Sequence, residues 1–389
     1  MAVRPIYLDY HATTPVDPRV VADMLPYFTE RFGNPASRQH AWGWEADEAV
    51  ERARGQVAAL INAAPGEIVF TSGASESNNL ALKGLCETRR ERGRHVITVA
   101  TEHKSVLDSC KRLATCGYDV TVLGVGRDGL VDLAALRAAM TPNTILVSVM
   151  AANNEIGTLQ PLDAIGAIAH EHGALLHTDA AQAAGKVPID VRALHVDLLS
   201  LTAHKCYGPK GAGALFVAKA KPRVALAPQI DGGGHEHGWR SGTLNVPGIV
   251  GLGRAAEICR EEMPAESARL RALRDGLLEG LRARLDGVLV NGTMDRRLPH
   301  NLHVTFDGVE GEALLMAIGD LAVSTGSACS SGSQAPSHVL QAIGAVRDGG
   351  GASIRFGLGR NTTPDEIAYA IDRVATVVAS LRSSVARPR

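Results

Sequence analysis

No stretch of this 389-residue chain approaches the roughly 20 apolar residues that a membrane-spanning helix needs. The start, Met1 to Tyr10, carries neither a long apolar run nor a cleavage signature. These absences make a soluble, cytoplasmic protein the expectation. Charge of one sign is also missing. The 40 Lys and Arg residues stand against 41 Asp and Glu, for a formal net charge of −1, a balance that offers no basis for a nucleic-acid or membrane-surface partner. Six cysteines, at 86, 110, 116, 206, 259 and 329, form no C-x-x-C pair and no framework. That speaks against structural zinc and disulfides and leaves most of them as buried small hydrophobes. There is no internal repeat and no low-complexity tract.

What is present is apolar content, 45% of residues, enough for a large core and two domains. Short β-branched runs at Glu67–Thr71, His95–Ala100, Val120–Leu123, Ile145–Met150, Ala174–Thr178, Val196–Leu201 and Ala214–Val217 read as strands. Between them, Trp44–Ile61, Ser75–Glu91, Lys104–Cys116, Leu133–Met140 and Leu162–His172 read as helices. The alternation predicts an α/β fold, a seven-stranded, mainly parallel sheet covered on both faces. After about residue 250 the pattern changes to a long helix (Val250–Leu285), strands near Val288–Val290 and Leu302–Thr305, and helices at Gly311–Leu321 and Pro364–Leu381. The expected division is a large domain of residues 16–255 and a smaller α+β domain of residues 1–15 and 256–389.

Open α/β sheets bind ligands at the carboxyl ends of their strands. Past the first run lies Ser72-Gly73-Ala74-Ser75-Glu76-Ser77, small residues opening a helix, which suits a phosphate or an ordinary Ser cap. Past the fifth come Asp179 and Gln182, and past the sixth Thr202-Ala203-His204-Lys205. A lysine at the end of a buried strand is hard to explain as a solvated charge, and its amine can form a Schiff base. A phosphate cup, a carboxylate for a pyridinium nitrogen and a lysine together match pyridoxal phosphate. His103, in Thr101-Glu102-His103-Lys104, is either a helix-start residue or an imidazole stacked on the ring to shuttle protons. Asn153 or Asn154, past Ile145–Met150, could orient the ring oxygen or a substrate carboxylate.

Thr325-Gly326-Ser327-Ala328-Cys329-Ser330-Ser331-Gly332-Ser333 surrounds one thiol with small polar residues and predicts a mobile, exposed loop at about 323–337. An exposed thiolate is a strong nucleophile. Arg355, in Ser353-Ile354-Arg355-Phe356, reads as a carboxylate clamp or as half of a structural salt bridge. Gly234-His235-Glu236-His237 offers too few ligands for zinc, so no metal is expected.

These motifs resemble the cysteine desulfurases, NifS-like and IscS-like, of the fold-type I, class-V-aminotransferase-like pyridoxal-phosphate enzymes. The resemblance runs from Tyr7-Leu8-Asp9-Tyr10 and Ala12-Thr13-Thr14-Pro15 through Phe32-Gly33-Asn34-Pro35, Asn153-Asn154-Glu155-Ile156-Gly157, Tyr207-Gly208-Pro209-Lys210-Gly211 and Arg240-Ser241-Gly242-Thr243 to Gly326-Ser327-Ala328-Cys329. It implies that Lys205 anchors the cofactor and takes the substrate α-proton, that Asp179 pairs with the ring nitrogen and that Gln182 meets the ring oxygen. Ala74, Ser75, Thr202 and His204 would bind the phosphate, with Thr243 of a neighbouring subunit in a homodimer. Asn154 and Arg355 would hold the substrate carboxylate, and His103 would stack on the ring. Cys329 would take sulfur from L-cysteine as a persulfide, leaving L-alanine, and pass it to an acceptor protein such as an iron–sulfur scaffold or a thiolation protein. Only eight residues follow Leu381, which argues against a scaffold-docking tail of the housekeeping type. A selenocysteine lyase or aminotransferase of the same fold, and a sulfur-relay protein without turnover, are the competing readings.

Overall fold

The structure, a computed structural model, describes residues 4–219, 224–325, 337–346 and 351–385. Among the described residues there are twelve strands: β1 (Ile6–Tyr7), β2 (Ile68–Thr71), β3 (His95–Val99), β4 (Asp119–Leu123), β5 (Thr144–Ser148), β6 (Leu175–Asp179), β7 (Leu198–Thr202), β8 (Gly213–Val217), β9 (Val288–Val290), β10 (Asn301–Asp307), β11 (Leu321–Ala322) and β12 (Gly351–Gly357). Seven of them form one sheet in the order β2-β8-β7-β6-β5-β3-β4. All its pairings are parallel except those of β8, which runs antiparallel to both neighbours. Buried strands in such a sheet read as continuous apolar runs because helices cover both faces. Successive side chains nonetheless part company: Leu199, Leu201 and Phe216 join the apolar cluster on one face, and Leu198, Leu215 and Val217 the cluster on the other.

The expected helix over Ser75–Glu91 is continuous only to Thr88 and contains a wider turn at Leu80–Gly84. Gly84 is required there: a Cβ would stand 2.6 Å from the Ala227 carbonyl oxygen. The helix expected over Gly311–Leu321 ends at Ala317, just before Gly319, and Leu321 instead pairs with Ile6 across β1 and β11. The helix expected from Val250 spans Val246–Arg284, with Pro264 inside it. Among its residues, Cys259 and those before it that are buried pack with the large sheet. Leu270, Leu277, Leu278 and Leu281 pack with Val304, Phe306, Ile354 and Phe356 of the antiparallel sheet β12-β10-β9.

Residues 5–14 form a strap between these two bodies. Leu8 donates to the Ala322 carbonyl (2.9 Å) and accepts from Gly357 N (2.7 Å), while Thr14 N reaches His204 O (2.9 Å) and Thr14 Oγ1 accepts from Tyr207 N (2.8 Å). The loop at residues 232–238 is fixed differently. Arg54 and Glu236, both buried, make a two-point ion pair at 2.8 Å, and Glu236 also accepts from Phe70 N at 2.7 Å. Glu236 is therefore committed to Arg54. Among the described residues no helix is long and apolar enough to cross a membrane.

Candidate active site

The carboxyl ends of β2, β3, β5, β6 and β7 open on a cavity of about 650 Å³. Ten of the residues singled out from the sequence line it: Ala74, Ser75, His103, Asn154, Asp179, Gln182, Thr202, His204, Lys205 and Arg355. Thr243 does not; it is exposed elsewhere on the chain. Cys329 lies outside the described residues.

Lys205 ends a tight turn, Ala203–Lys205, directly after β7. Its ammonium donates to the carbonyls of His11 and Ala12, the latter at 2.8 Å. Tyr207, two residues on, takes a positive φ of 64°, a backbone state a bulky residue rarely adopts. It is held by Lys186 and Arg360 on its ring, at 4.0 and 4.2 Å. The turn that aims the lysine is thus fixed from the strap on one side and, on the other, by two cations on the Tyr207 ring, the buried Lys186 and the partly buried Arg360.

Asp179 is the last residue of β6 and is buried. One carboxylate oxygen accepts from Ala181 N at 2.9 Å and the other from Asn78 Nδ2 at 2.7 Å. Beneath it, His177 lies between Ser148 Oγ (2.8 Å) and Ser200 Oγ (3.1 Å), with burial pushing its pKa down to about 4, so it is neutral at pH 7. Glu102 is fully buried, and burial first, then the nearby Asp179, raises its pKa well above the usual range. His177 therefore places no charge beside Asp179, and Glu102 is shifted toward its protonated form.

His103 caps the helix Lys104–Thr115, accepting from Ser105 N at 3.2 Å and meeting Ser105 Oγ at 2.8 Å. The helix-start reading is thus realised, in a residue that also lines the cavity. Ala74 and Ser75 open the helix after β2 behind Gly73, whose φ of 155° brings the chain past Thr202 Oγ1. His204 Nδ1 contacts Thr13 Oγ1 at 3.2 Å, and burial followed by the charges of Lys205 and Lys210 lowers its pKa to about 4. Arg355 has one amino group on the Asn154 carbonyl and the other on Asp9, both at 2.8 Å, and its Nε has no hydrogen-bond partner. The salt-bridge reading of Arg355 is thus realised, and the guanidinium keeps N–H groups beyond those two bonds, its Nε–H among them.

Several lining residues carried no role in the sequence reading: His11, Ala12, Thr13, Met150, Ala152 and Lys210. Asn78, behind Asp179, was also missed, although it stands one helical turn after Ala74 on the same helix. The ensemble suits pyridoxal phosphate on its own chemistry. It has an amine, a buried carboxylate held by two donors, small residues and hydroxyls at a helix start, and an arginine with an uncommitted N–H.

The class-V aminotransferase family profile matches residues 6–369. The protein named cysteine desulfurase IscS of Anaeromyxobacter dehalogenans (strain 2CP-C) is 57% identical over 378 residues, covering 97% of this chain and 93% of its own. Its namesake from Neisseria meningitidis (serogroup C, strain FAM18) is 54% identical with the same coverage of each chain. Among solved structures, a NifS-like protein superposes with a TM-score of 0.90 at 38% identity, covering 97% of this chain and 100% of that one. SspA in complex with cysteine gives 0.79 at 40% identity, covering 91% and 98%.

Proposed function

Because this chain belongs to the class-V aminotransferase family and is a pyridoxal-phosphate-dependent cysteine desulfurase, we propose the following division of labour among its own residues. The observation that carries it is the convergence of Lys205, Asp179 and Arg355 on one cavity from three separate segments. The bound cofactor supplies an electron sink for the pair left when the α-proton departs. Lys205 anchors it and moves that proton. Asp179 holds the proton of the ring nitrogen, and Gln182 donates to the ring oxygen. Ala74, Ser75, Thr202 and the neutral His204 receive the phosphate. Arg355 and Asn154 would orient the substrate carboxylate, and His103 would face the ring and pass protons.

Cys329 Sγ then forms a bond to the substrate sulfur as the carbon–sulfur bond breaks. The carbon keeps that bonding pair and takes a proton, giving L-alanine and a Cys329 persulfide. The enzyme passes this sulfur to an acceptor protein, with iron–sulfur assembly as one destination and the cytoplasm as its place of work. The working unit is a homodimer in which Thr243 completes the partner's phosphate site. Support comes from the exposure of Thr243 outside its own cavity and of Phe28, Phe32, Trp42 and Trp44 within one short segment, since aromatic side chains are enriched at interfaces.

Cys329→Ala tests the nucleophile. The variant should hold the cofactor as the wild type does, while sulfide release in the presence of a thiol and L-cysteine falls to background. Sulfide at the wild-type rate would assign the sulfur attack elsewhere.

A further inference from the structure

Gln182 can meet the ring oxygen as a donor only if its amide points the right way, and a glutamine amide carries a donor and an acceptor on nearly equal arms. Something must set the choice. In this fold the choice traces back, bond by bond, to an arginine in the other body of the protein.

Arg297 is buried and can only donate. Its Nε reaches the Thr293 carbonyl (2.8 Å), one amino group meets the Asn291 carbonyl, and the other meets Asn301 Oδ1 at 2.8 Å. Asn301 must therefore present its NH2 away from Arg297. That NH2 reaches the Glu155 carbonyl at 2.9 Å and His11 Nε2 at 3.0 Å. Gly157 closes the space around this amide, since a Cβ there would stand 2.4 Å from Asn301 Oδ1.

His11 is fully buried, and its ring stacks on His300 at 4.4 Å with 27° between planes. Burial first, and then the charge of Arg355, holds it neutral. A neutral imidazole has one donor and one acceptor nitrogen. Nε2 accepts from Asn301, so Nδ1 carries the hydrogen, and it donates to Gln182 Oε1 at 3.0 Å. Gln182 Nε2 in turn donates to the His11 carbonyl at 3.0 Å. One N–H of Gln182 is left for the cavity that this residue lines. The flipped amide would set donor against donor at the ring and acceptor against acceptor at the carbonyl.

We infer that His11 is a positioning residue: its ring fixes the amide of Gln182 so that the donor end faces the cofactor. This rests on the reading of Gln182 as the group that meets the ring oxygen. His11 touches neither substrate nor cofactor ring in this role; it acts through Gln182, as Arg297 and Asn301 act through His11.

The test is the visible spectrum of protein loaded with pyridoxal phosphate, without substrate, because a donor on the ring oxygen changes the ratio of the cofactor's long- and short-wavelength bands. Gln182→Leu should shift that ratio. His11→Phe, which keeps the ring shape and removes both hydrogen bonds, should shift it in the same direction by most of that amount. The double variant should match Gln182→Leu alone. Asn301→Leu, which frees His11 to take the other tautomer, should move the ratio the same way and serves if His11→Phe does not fold. No shift in Gln182→Leu would overturn the reading of Gln182 itself. A shift there with a wild-type ratio in the His11 or Asn301 variant would overturn the positioning role alone. A purely packing role for His11 would lower the melting temperature and leave the ratio unmoved.

Discussion

Lys205→Ala is expected to lower alanine formation from L-cysteine by roughly 10²–10⁴-fold or more, the range for losing a positioned general base, and to leave a cofactor that washes out on dialysis. The fold should survive. Lys205 is half-buried, and its amine rests on the carbonyls of His11 and Ala12. The first of these still receives Gln182 Nε2 when the amine is gone. The strap also keeps its bonds from Thr14 to His204 and Tyr207. A melting temperature close to wild type alongside lost turnover separates chemistry from collapse. A variant that retained the wild-type rate would remove Lys205 from the mechanism.

Asp179→Asn is the second large effect, a fall of about 10²–10³-fold in turnover, the scale seen when one preorganised electrostatic contact is removed. Shape is nearly unchanged, and one feature lets the structure absorb the new amide. Asn78 Oδ1 is buried without a hydrogen-bond partner. If Asn78 turns its amide over, that oxygen accepts from residue 179 where Nδ2 now donates at 2.7 Å. What is lost is the negative charge. His177 is neutral at pH 7 and does not replace it, and burial still raises the Glu102 pKa when the carboxylate at 179 is gone. Turnover measured in saturating cofactor and L-cysteine checks this. An unchanged rate would mean that no ring nitrogen depends on residue 179.

How far the sequence carried the fold depended on burial. All seven strands of the large sheet were legible because the inner ones, such as Leu198–Thr202 and Thr144–Ser148, are buried on both faces and written in apolar and β-branched residues. The edge strand Asp119–Leu123 is mostly not buried, yet its Val-Thr-Val pattern still marked it. Two-residue strands β1 and β11 left no periodic signal, and they exist only because the N-terminal strap returns to the far part of the chain. Pro18–Met24 and Pro26–Thr29 are too short for helical periodicity to show.

The site divides along the same line. Asp179 ends a strand, and Lys205 and Ser75 each follow one, so the rule of carboxyl ends pointed to them. His11, Asn78 and Asn301 could not be found that way. Their roles lie in which atom of a side chain faces which neighbour, and those neighbours come from distant segments: 171 residues away for His11 and Gln182, 101 for Asn78 and Asp179, and 290 for His11 and Asn301. Arg355 shows a different limit, because it fulfils the structural reading through Asp9 and still keeps a spare donor.

The account stands on Lys205 as the one amine that carries the cofactor. Reducing the cofactor-loaded protein with borohydride and mapping its peptides by mass spectrometry tests this most directly. The pyridoxyl phosphate adduct should be found on the peptide containing Lys205, at a stoichiometry near one per chain. An adduct on another lysine, or none after reduction, would contradict it.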